Sequence, residues 1–169
     1  MAALMPAGNH QAGFSYLLLL AWLSVLALML LRSQDHLQTE WRQEREAQLL
    51  FAGDQIREAI QQYRDNPAGN KCFPVSFQQL LSDRRFTPTR YLLRQHYRDP
   101  FTQKSDWGMI YDDKGRWTGV YSKGAGKPLK KEGFAQIYKD FKKAGSYTGW
   151  KFKVDDDLNA PLPASCNSR

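Results

Sequence analysis

Charge is absent from the first 31 residues of the chain, because every Asp, Glu, Lys and Arg lies at or beyond Arg32. Within this stretch, residues 14–31 read Phe-Ser-Tyr-Leu-Leu-Leu-Leu-Ala-Trp-Leu-Ser-Val-Leu-Ala-Leu-Met-Leu-Leu. At about 1.5 Å of rise per residue, this run forms a helix of about 27 Å, close to the thickness of a bilayer's hydrocarbon core. The run therefore predicts a transmembrane helix over residues 14–32.

Two other kinds of segment compete with this prediction. A secretory signal peptide has a basic start and small residues at a cleavage site, whereas residues 1–13 contain no Lys or Arg and no small pair follows Leu31. A buried core helix needs a larger protein around it than the rest of this chain provides. A membrane anchor that carries a polar head is the favoured organisation.

Cysteine and histidine are scarce, and their scarcity excludes most metal and catalytic sites. The chain has two Cys and three His and lacks a Cys-x-x-Cys motif, so a zinc site has too few ligands. In the head, His96 has no nucleophile at a recognisable spacing. We predict that the protein is not an enzyme and that it uses no metal and no cofactor.

Two short segments resemble ligand-binding loops but lack the required spacing. Residues 124–127, Gly-Ala-Gly-Lys, lack the further Gly and the Ser or Thr of a phosphate-binding loop. Residues 155–159, Asp-Asp-Asp-Leu-Asn, offer oxygen ligands for a hard cation but not the EF-hand spacing. We expect an ordinary turn in the first and a solvated acidic turn in the second.

The two cysteines, Cys72 and Cys166, favour one disulfide that ties the tail to the front of the head if the compartment is oxidising. Two separate buried thiols are the alternative.

The net charge of +7 raises the question of an anionic partner. The densest basic cluster is interrupted by acidic residues and matches no nucleic-acid motif, so a solvated face is favoured over a partner surface and nucleic acid is not expected to bind. The cluster consists of Lys123, Lys127, Lys130, Lys131, Lys139, Lys142 and Lys143.

Apolar residues recur every three or four positions from Leu49 to Tyr63, which predicts an amphipathic helix over residues 33–66 that continues the apolar helix. The breakers Asn66-Pro67-Ala68-Gly69-Asn70 end it. Ser76 and Gln79 have capping-box spacing and predict a short helix.

The rest of the head, residues 67–169, alternates in the manner of β-strands. Alternating Trp107, Met109 and Tyr111, a turn at 112–115 and the β-rich segment 117–121 predict a hairpin. Residues 150–154 predict a third strand, and residues 134–143 a short helix before it. The expected fold class is α+β, with the long helix packed on a small antiparallel sheet.

This order of parts resembles the type IV pilin-like proteins, in particular the pseudopilins of type II secretion. In that family a leader ends in Gly, prepilin peptidase cuts after it, and the new N-terminal residue is methylated. The resemblance implies a leader over residues 1–13, cleavage between Gly13 and Phe14, and N-methylation of Phe14. The segments 73–81, 91–101 and 107–121 follow the order of the family's heads.

Leu18 departs from the family pattern, because the fifth mature position usually carries a Glu that meets a neighbour's N-terminal ammonium. An unpaired ammonium in an apolar interior is costly, so Leu18 favours a minor or atypical subunit. Arg32 is also atypical, since the charge rule alone would place the head in the cytoplasm.

The resemblance thus predicts a pseudopilin of the bacterial inner membrane, with a single membrane pass and a periplasmic head, that assembles into a pseudopilus. Its expected partners are other pseudopilin subunits, prepilin peptidase, the inner-membrane assembly platform and membrane lipid. Two alternatives remain: an uncleaved single-pass protein with a partner-binding basic head, and a competence-type pseudopilin that binds DNA.

Overall fold

The structure, a computed structural model, describes residues 12–67, 70–155, 157 and 159–166, without the side chains of residues 12, 13 and 31–37. The helices and strands run in the order α1 (Ala12–Asp65), α2 (Phe77–Leu81), β1 (Gly108–Tyr111), β2 (Trp117–Tyr121), 3₁₀ helices Gln136–Lys143 and Tyr147–Gly149, β3 (Lys151–Lys153) and α3 (Pro163–Cys166).

The chain divides into two compact units, Met1–Trp41 and Arg42–Arg169. Helix α1 crosses this division and ends at Asp65, directly before the predicted breakers. The second unit, called the head below, contains the sheet, the remaining helices and the hydrophobic core.

The prediction of a membrane-spanning helix over residues 14–32 is wrong for the described residues, among which no helix combines the length and the apolar character needed to cross a membrane. The expectation of a single-pass inner-membrane protein with a periplasmic head is corrected accordingly.

The sheet has three antiparallel strands in the order β1-β2-β3. The predicted hairpin is confirmed, with Met109 opposite Val120 and a register irregularity between Ile110 and Tyr111. The predicted third strand is confirmed as well, and it places Phe152 opposite Val120 on the buried face. The short sheet therefore offers one apolar face to α1.

The amphipathic half of α1 supplies the spine of the head. Its buried side chains recur at helical spacing, because only one face of the helix meets the sheet. At Gly53, a Cβ atom would lie 2.4 Å from the ring of Phe152, so the helix approaches β3 as closely as a glycine allows. The buried residues of this face are Glu46, Leu49, Ala52, Ile56, Ala59, Ile60 and Tyr63.

Helix α2 begins after Ser76, as predicted, but without the reciprocal capping box. The Ser76 side chain makes no capping hydrogen bond. Instead, the Val75 amide donates to Oε1 of Gln79 over 2.8 Å, so the glutamine satisfies an amide one residue earlier than the motif predicts.

The segment predicted as a short helix over 134–143 is a 3₁₀ helix that begins at Gln136 and is kinked at Tyr138. At the end of the described chain, Cys72 and Cys166, which are 94 positions apart in the sequence, form a disulfide with Cα atoms 5.9 Å apart. It joins α3 to the segment that follows α1.

Candidate functional site

The predicted processing site lies in the first turn of α1. The helix begins at Ala12, so both Gly13 and Phe14 are helical, and the Phe14 side chain is 70% exposed. No described contact covers this ring. The cleavage between Gly13 and Phe14 and the methylation of Phe14 remain predictions.

From Phe14 to Leu30, large apolar side chains are exposed at almost every position of α1. Successive residues of an α-helix are about 100° apart around its axis, so five consecutive exposed residues occupy all sides of the helix. Such a surface differs from the one-sided stripe of an ordinary surface helix. The exposed residues are Phe14, Tyr16, Leu17, Leu18, Leu19, Leu20, Trp22, Leu23, Val25, Leu26, Leu28, Met29 and Leu30.

Leu18, the atypical fifth mature position, belongs to this exposed set, with 54% of its surface accessible. Within the described part of the segment, the Ser24 side chain bonds locally, because its Oγ donates to the carbonyl of Leu20 over 2.8 Å. The described segment 14–30 carries no charged side chain.

In the head, Glu46 of α1 is only 2% exposed and accepts three hydrogen bonds. Its Oε1 accepts from the amide of Leu129 over 2.6 Å and from the hydroxyl of Tyr147 over 2.8 Å. Its Oε2 accepts from the amide of Lys130 over 2.9 Å. A buried carboxylate needs such donors, because an unpaired one is strongly destabilising. Glu46 therefore fixes the irregular segment 123–134 on α1.

One turn earlier, Arg42 donates from Nη2 to the carbonyl of Lys127 over 2.9 Å, which adds a second attachment for the same segment. Burial, and the hydrogen bond to Glu46, raise the pKa of Tyr147 to about 12, so its hydroxyl stays a donor at neutral pH. Next to this attachment lies a cavity of about 320 Å³ whose lining includes Leu50 and Leu129.

A second polar cluster joins α1 to the 3₁₀ helix that begins at Gln136. The Tyr138 hydroxyl donates to Oδ1 of Asp54, and Arg57 donates from Nε to the same carboxylate over 3.0 Å. Arg57 also donates to the Tyr138 oxygen over 2.9 Å and to Gln61 over 2.8 Å. Burial raises the pKa of Tyr138. The polar groups of Asp54, Arg57 and Tyr138 therefore bond to one another, and they attach the 3₁₀ helix to α1.

The residues weighed for chemistry are dispersed. His96 is exposed and its ring lies 4.6 Å from that of Phe77, while both cysteines are bonded to each other. In the acidic turn, Oδ1 of Asp157 accepts a hydrogen bond from the amide of Asn159 over 3.0 Å. Asp156 lies outside the described residues. Over the described ranges, no three His, Cys, Asp or Glu side chains are grouped to hold a metal ion.

The lysine cluster is distributed over exposed segments of the head. Lys123 pairs with Asp106 over 2.7 Å, and Nζ of Lys130 lies 5.4 Å from the Phe134 ring centroid. Glu46 is a functional residue that the sequence pattern does not predict, because the apolar stripe begins at Leu49 and Glu46 lies among charged residues of the same helix. The available signal is its spacing, since a position three residues before Leu49 lies on the same face of the helix.

Comparison of the chain with protein-family models, with curated proteins and with solved structures gave no match. The resemblance to pilin-like proteins rests on the order of the chain's own segments and stays a prediction.

Proposed function

We propose that the chain is a pilin-like filament subunit of the pseudopilin kind, in which the helical segment 14–30 packs among equivalent segments of other subunits. The observation that carries the proposal is the all-round exposure of large apolar side chains on this segment. Contiguous apolar surface of this extent has to be covered by a partner in water. Because every side of the helix is apolar, one neighbouring helix is insufficient and several have to surround it.

The head supports the same proposal by its construction. A helix that continues from the apolar segment forms the spine of an α+β domain, and the disulfide and Glu46 attach the remaining chain to that spine. If such helices, each with its head, repeat around a common core, every subunit contacts its neighbours through two different faces. Such contacts generate a helical filament when the subunits do not close into a ring.

The proposed function includes removal of residues 1–13 by prepilin peptidase and methylation of Phe14. The uncharged residue at position 18 favours a minor or atypical place among the subunits, since Leu18 has no carboxylate to pair with a neighbour's N-terminal ammonium. Other pseudopilin subunits are the proposed partners.

Mass spectrometry of the N-terminus tests the proposal. The chain is produced in cells with active prepilin peptidase, and the expected product begins with N-methyl-Phe14. The variant Gly13→Leu, which replaces the residue before the predicted cut, is expected to stay unprocessed, whereas the control Gly8→Leu changes a glycine within the leader and is expected to be processed. An intact Met1 on the parent chain in the presence of active peptidase would overturn the proposal.

A further inference from the structure

Arginine and lysine occupy different parts of this chain. The stretch from residue 72 to residue 103 contains five Arg and no Lys, whereas residues 117–168 contain nine Lys and no Arg. Both side chains are cationic, but Arg is enriched and Lys depleted at protein interfaces. The guanidinium group also binds carboxylates through two parallel hydrogen bonds, which an ammonium group cannot do. The segregation therefore marks the arginine segment as different from the solvated lysine face.

Within residues 84–98, which we call the arginine loop, four of the five arginines are exposed: Arg84, Arg90, Arg94 and Arg98. The fifth, Arg85, is held inside by two hydrogen bonds to Asp83, from Nε over 2.8 Å and from Nη2 over 2.7 Å. None of the four exposed arginines forms an ion pair with any residue that the structure describes. The charge of Arg90 acts on Asp83 and lowers the pKa of that carboxyl, but none of the four is directly paired with a described carboxylate.

The two acidic residues that flank the arginine loop cannot neutralise it. Asp83 is 1% exposed and is occupied by Arg85. Asp99 is fully buried, and its two oxygens accept from the Phe101 amide over 2.9 Å and from the Ser122 hydroxyl over 2.7 Å. No Asp or Glu lies between them in the sequence. The charged side chains of the loop itself are therefore all cationic.

The loop is attached firmly to the head, so its arginines are presented by an ordered backbone. Asp83 and Arg90 exchange backbone hydrogen bonds of 2.8 and 3.1 Å. The amides of Leu92 and Leu93 both donate to the carbonyl of Leu80, and the Trp107 indole donates to the carbonyl of Tyr97 over 2.9 Å. A surface that is ordered before binding loses less conformational entropy when a partner docks.

Aromatic groups complete the surface and favour a protein partner. Tyr91 is 73% exposed beside Arg90 in sequence, and Tyr and Arg are the residues that most often dominate binding energy at protein interfaces. The ring of Phe86 is already covered by the Arg90 guanidinium, whose Cζ lies 4.6 Å from its centroid. Single-stranded nucleic acid is bound through several free aromatic rings that stack on successive bases, and the loop offers few of them.

We infer that the arginine loop is a docking surface for an acidic protein segment, whose carboxylates pair with Arg84, Arg90, Arg94 and Arg98 around Tyr91. This inference is independent of the proposed filament function, since it concerns the head and not residues 14–30. It also assigns the binding surface to residues other than the lysine cluster that composition first suggests.

Binding of the purified full chain to immobilised poly-L-glutamate tests the inference, with oligo(dT) and phosphatidylglycerol vesicles as the other polyanions. The test variant replaces Arg84, Arg90, Arg94 and Arg98 by Gln. The matched control replaces Lys131, Lys139, Lys142 and Lys143, four exposed lysines, by Gln and therefore has the same net charge. We expect the arginine variant to bind poly-L-glutamate about 10-fold more weakly than the control.

A second variant replaces the same four arginines by Lys, which keeps the charge and removes the paired donors. We expect about a 3-fold loss for this variant, and it decides the question if the glutamine variant does not fold. The inference would be overturned if the Arg→Gln variant and the matched Lys→Gln control lost equal affinity for poly-L-glutamate. It would also be overturned if the Arg→Lys variant bound poly-L-glutamate as tightly as the parent chain. Arginine-dependent binding to oligo(dT) or to the vesicles that is tighter than binding to poly-L-glutamate would overturn it in favour of that partner.

Discussion

At the scale of single residues, the Glu46 carboxylate connects α1 to distant parts of the chain. It accepts hydrogen bonds from two successive backbone amides and one hydroxyl, all more than 80 positions away in sequence. Hydrogen bonds to a buried charged group stabilise more than neutral ones, and leaving their donors unpaired adds a desolvation cost. The segment 123–134, which has no regular structure of its own, depends on this contact.

The substitution Glu46→Gln is expected to lower the free energy of unfolding by about 2 to 3 kcal/mol, because an amide NH₂ replaces one acceptor oxygen and faces a donor. Chemical denaturation of the purified chain measures the change. The control is Glu44→Gln, an exposed residue of the same helix, for which we expect a change within about 0.5 kcal/mol. Equal effects of the two substitutions would contradict the assignment of Glu46 as a buried acceptor.

A second residue-scale prediction concerns acid. Burial by itself raises the pKa of Asp83, but the hydrogen bonds and the charge of Arg85 outweigh it and hold the pKa below its usual value. Since the folded pKa lies below the unfolded value of about 4, the pair stabilises the fold above that value, and the stability is lost as the pH falls through the folded pKa.

Denaturation as a function of pH should therefore show a decline in the free energy of unfolding below about pH 4. Asp83→Asn should lower the stability at neutral pH and make the acid-side decline shallower. Asp106→Asn is the control, because Asp106 forms an exposed pair with Lys123 in which its side chain is 67% accessible. An unchanged acid profile in Asp83→Asn would contradict the role of this carboxylate.

At the scale of elements, the contact between α1 and β3 sets how closely the helix lies on the sheet. Gly53→Ala places a methyl group 2.4 Å from the Phe152 ring. Although Ala is the better helix former, we expect a net loss of about 1 to 3 kcal/mol, since overpacking outweighs propensity.

The matched control is Gly145→Ala, where an added Cβ meets no atom within 4 Å and the backbone φ is not positive. We expect this variant to unfold at the denaturant concentration of the parent within error, by the same denaturation measurement. A stabilised Gly53→Ala would show that β3 moves away from the helix without cost.

Sequence patterns predicted those elements whose signals are local. The turn at 112–115 between alternating segments predicted β1 and β2, and the breakers after Asp65 predicted the end of α1. Patterns failed where the deciding contact is distant in sequence. Glu46 resembles its exposed neighbours in the sequence, and its backbone partners lie in the distant segment 123–134. Tyr138, where the 3₁₀ helix is kinked, likewise bonds to Asp54, which is 84 positions away.

The prediction of a membrane-spanning helix over residues 14–32 was wrong for a different reason. The composition of this segment suits a membrane, a core helix or a filament core equally, because all three surround a helix with apolar groups. The surroundings, and not the residues, distinguish them. Charge density in the sequence likewise does not reveal the arginine loop, because its five arginines are fewer than the seven lysines of the lysine cluster.

At the scale of the whole molecule, the disulfide connects the segment that follows α1 to the C-terminal end of the described chain. Cys72 and Cys166 lie 94 positions apart in the sequence, and the chain-entropy model gives about 4 to 5 kcal/mol for a loop of this size. We expect the double variant Cys72→Ser, Cys166→Ser to lose stability of that order in chemical denaturation.

Reductant provides the internal control for this prediction. Dithiothreitol should destabilise the parent chain to the level of the double variant and leave the double variant unchanged. If the parent unfolded identically with and without reductant, the disulfide would contribute nothing to the stability of the head.

The last prediction concerns how many neighbours surround the apolar segment. Leu18 and Met29 lie within about 20° of each other around the axis of α1, whereas Leu20 and Leu23 lie on the opposite side. All four are exposed. A dimer of two helices would use one of these faces, while a filament core would bury both.

We therefore expect two double variants, Leu18→Gln with Met29→Gln and Leu20→Gln with Leu23→Gln, each to reduce the self-association of the parent chain in analytical ultracentrifugation. Ile137→Gln, which changes an apolar residue of the head that is 63% exposed, should leave it unchanged. Loss in only one double variant would indicate a two-helix contact. Since a helix with one partner leaves its other side in water, that result would overturn the filament proposal, whereas loss in both requires neighbours on opposite sides of the same helix.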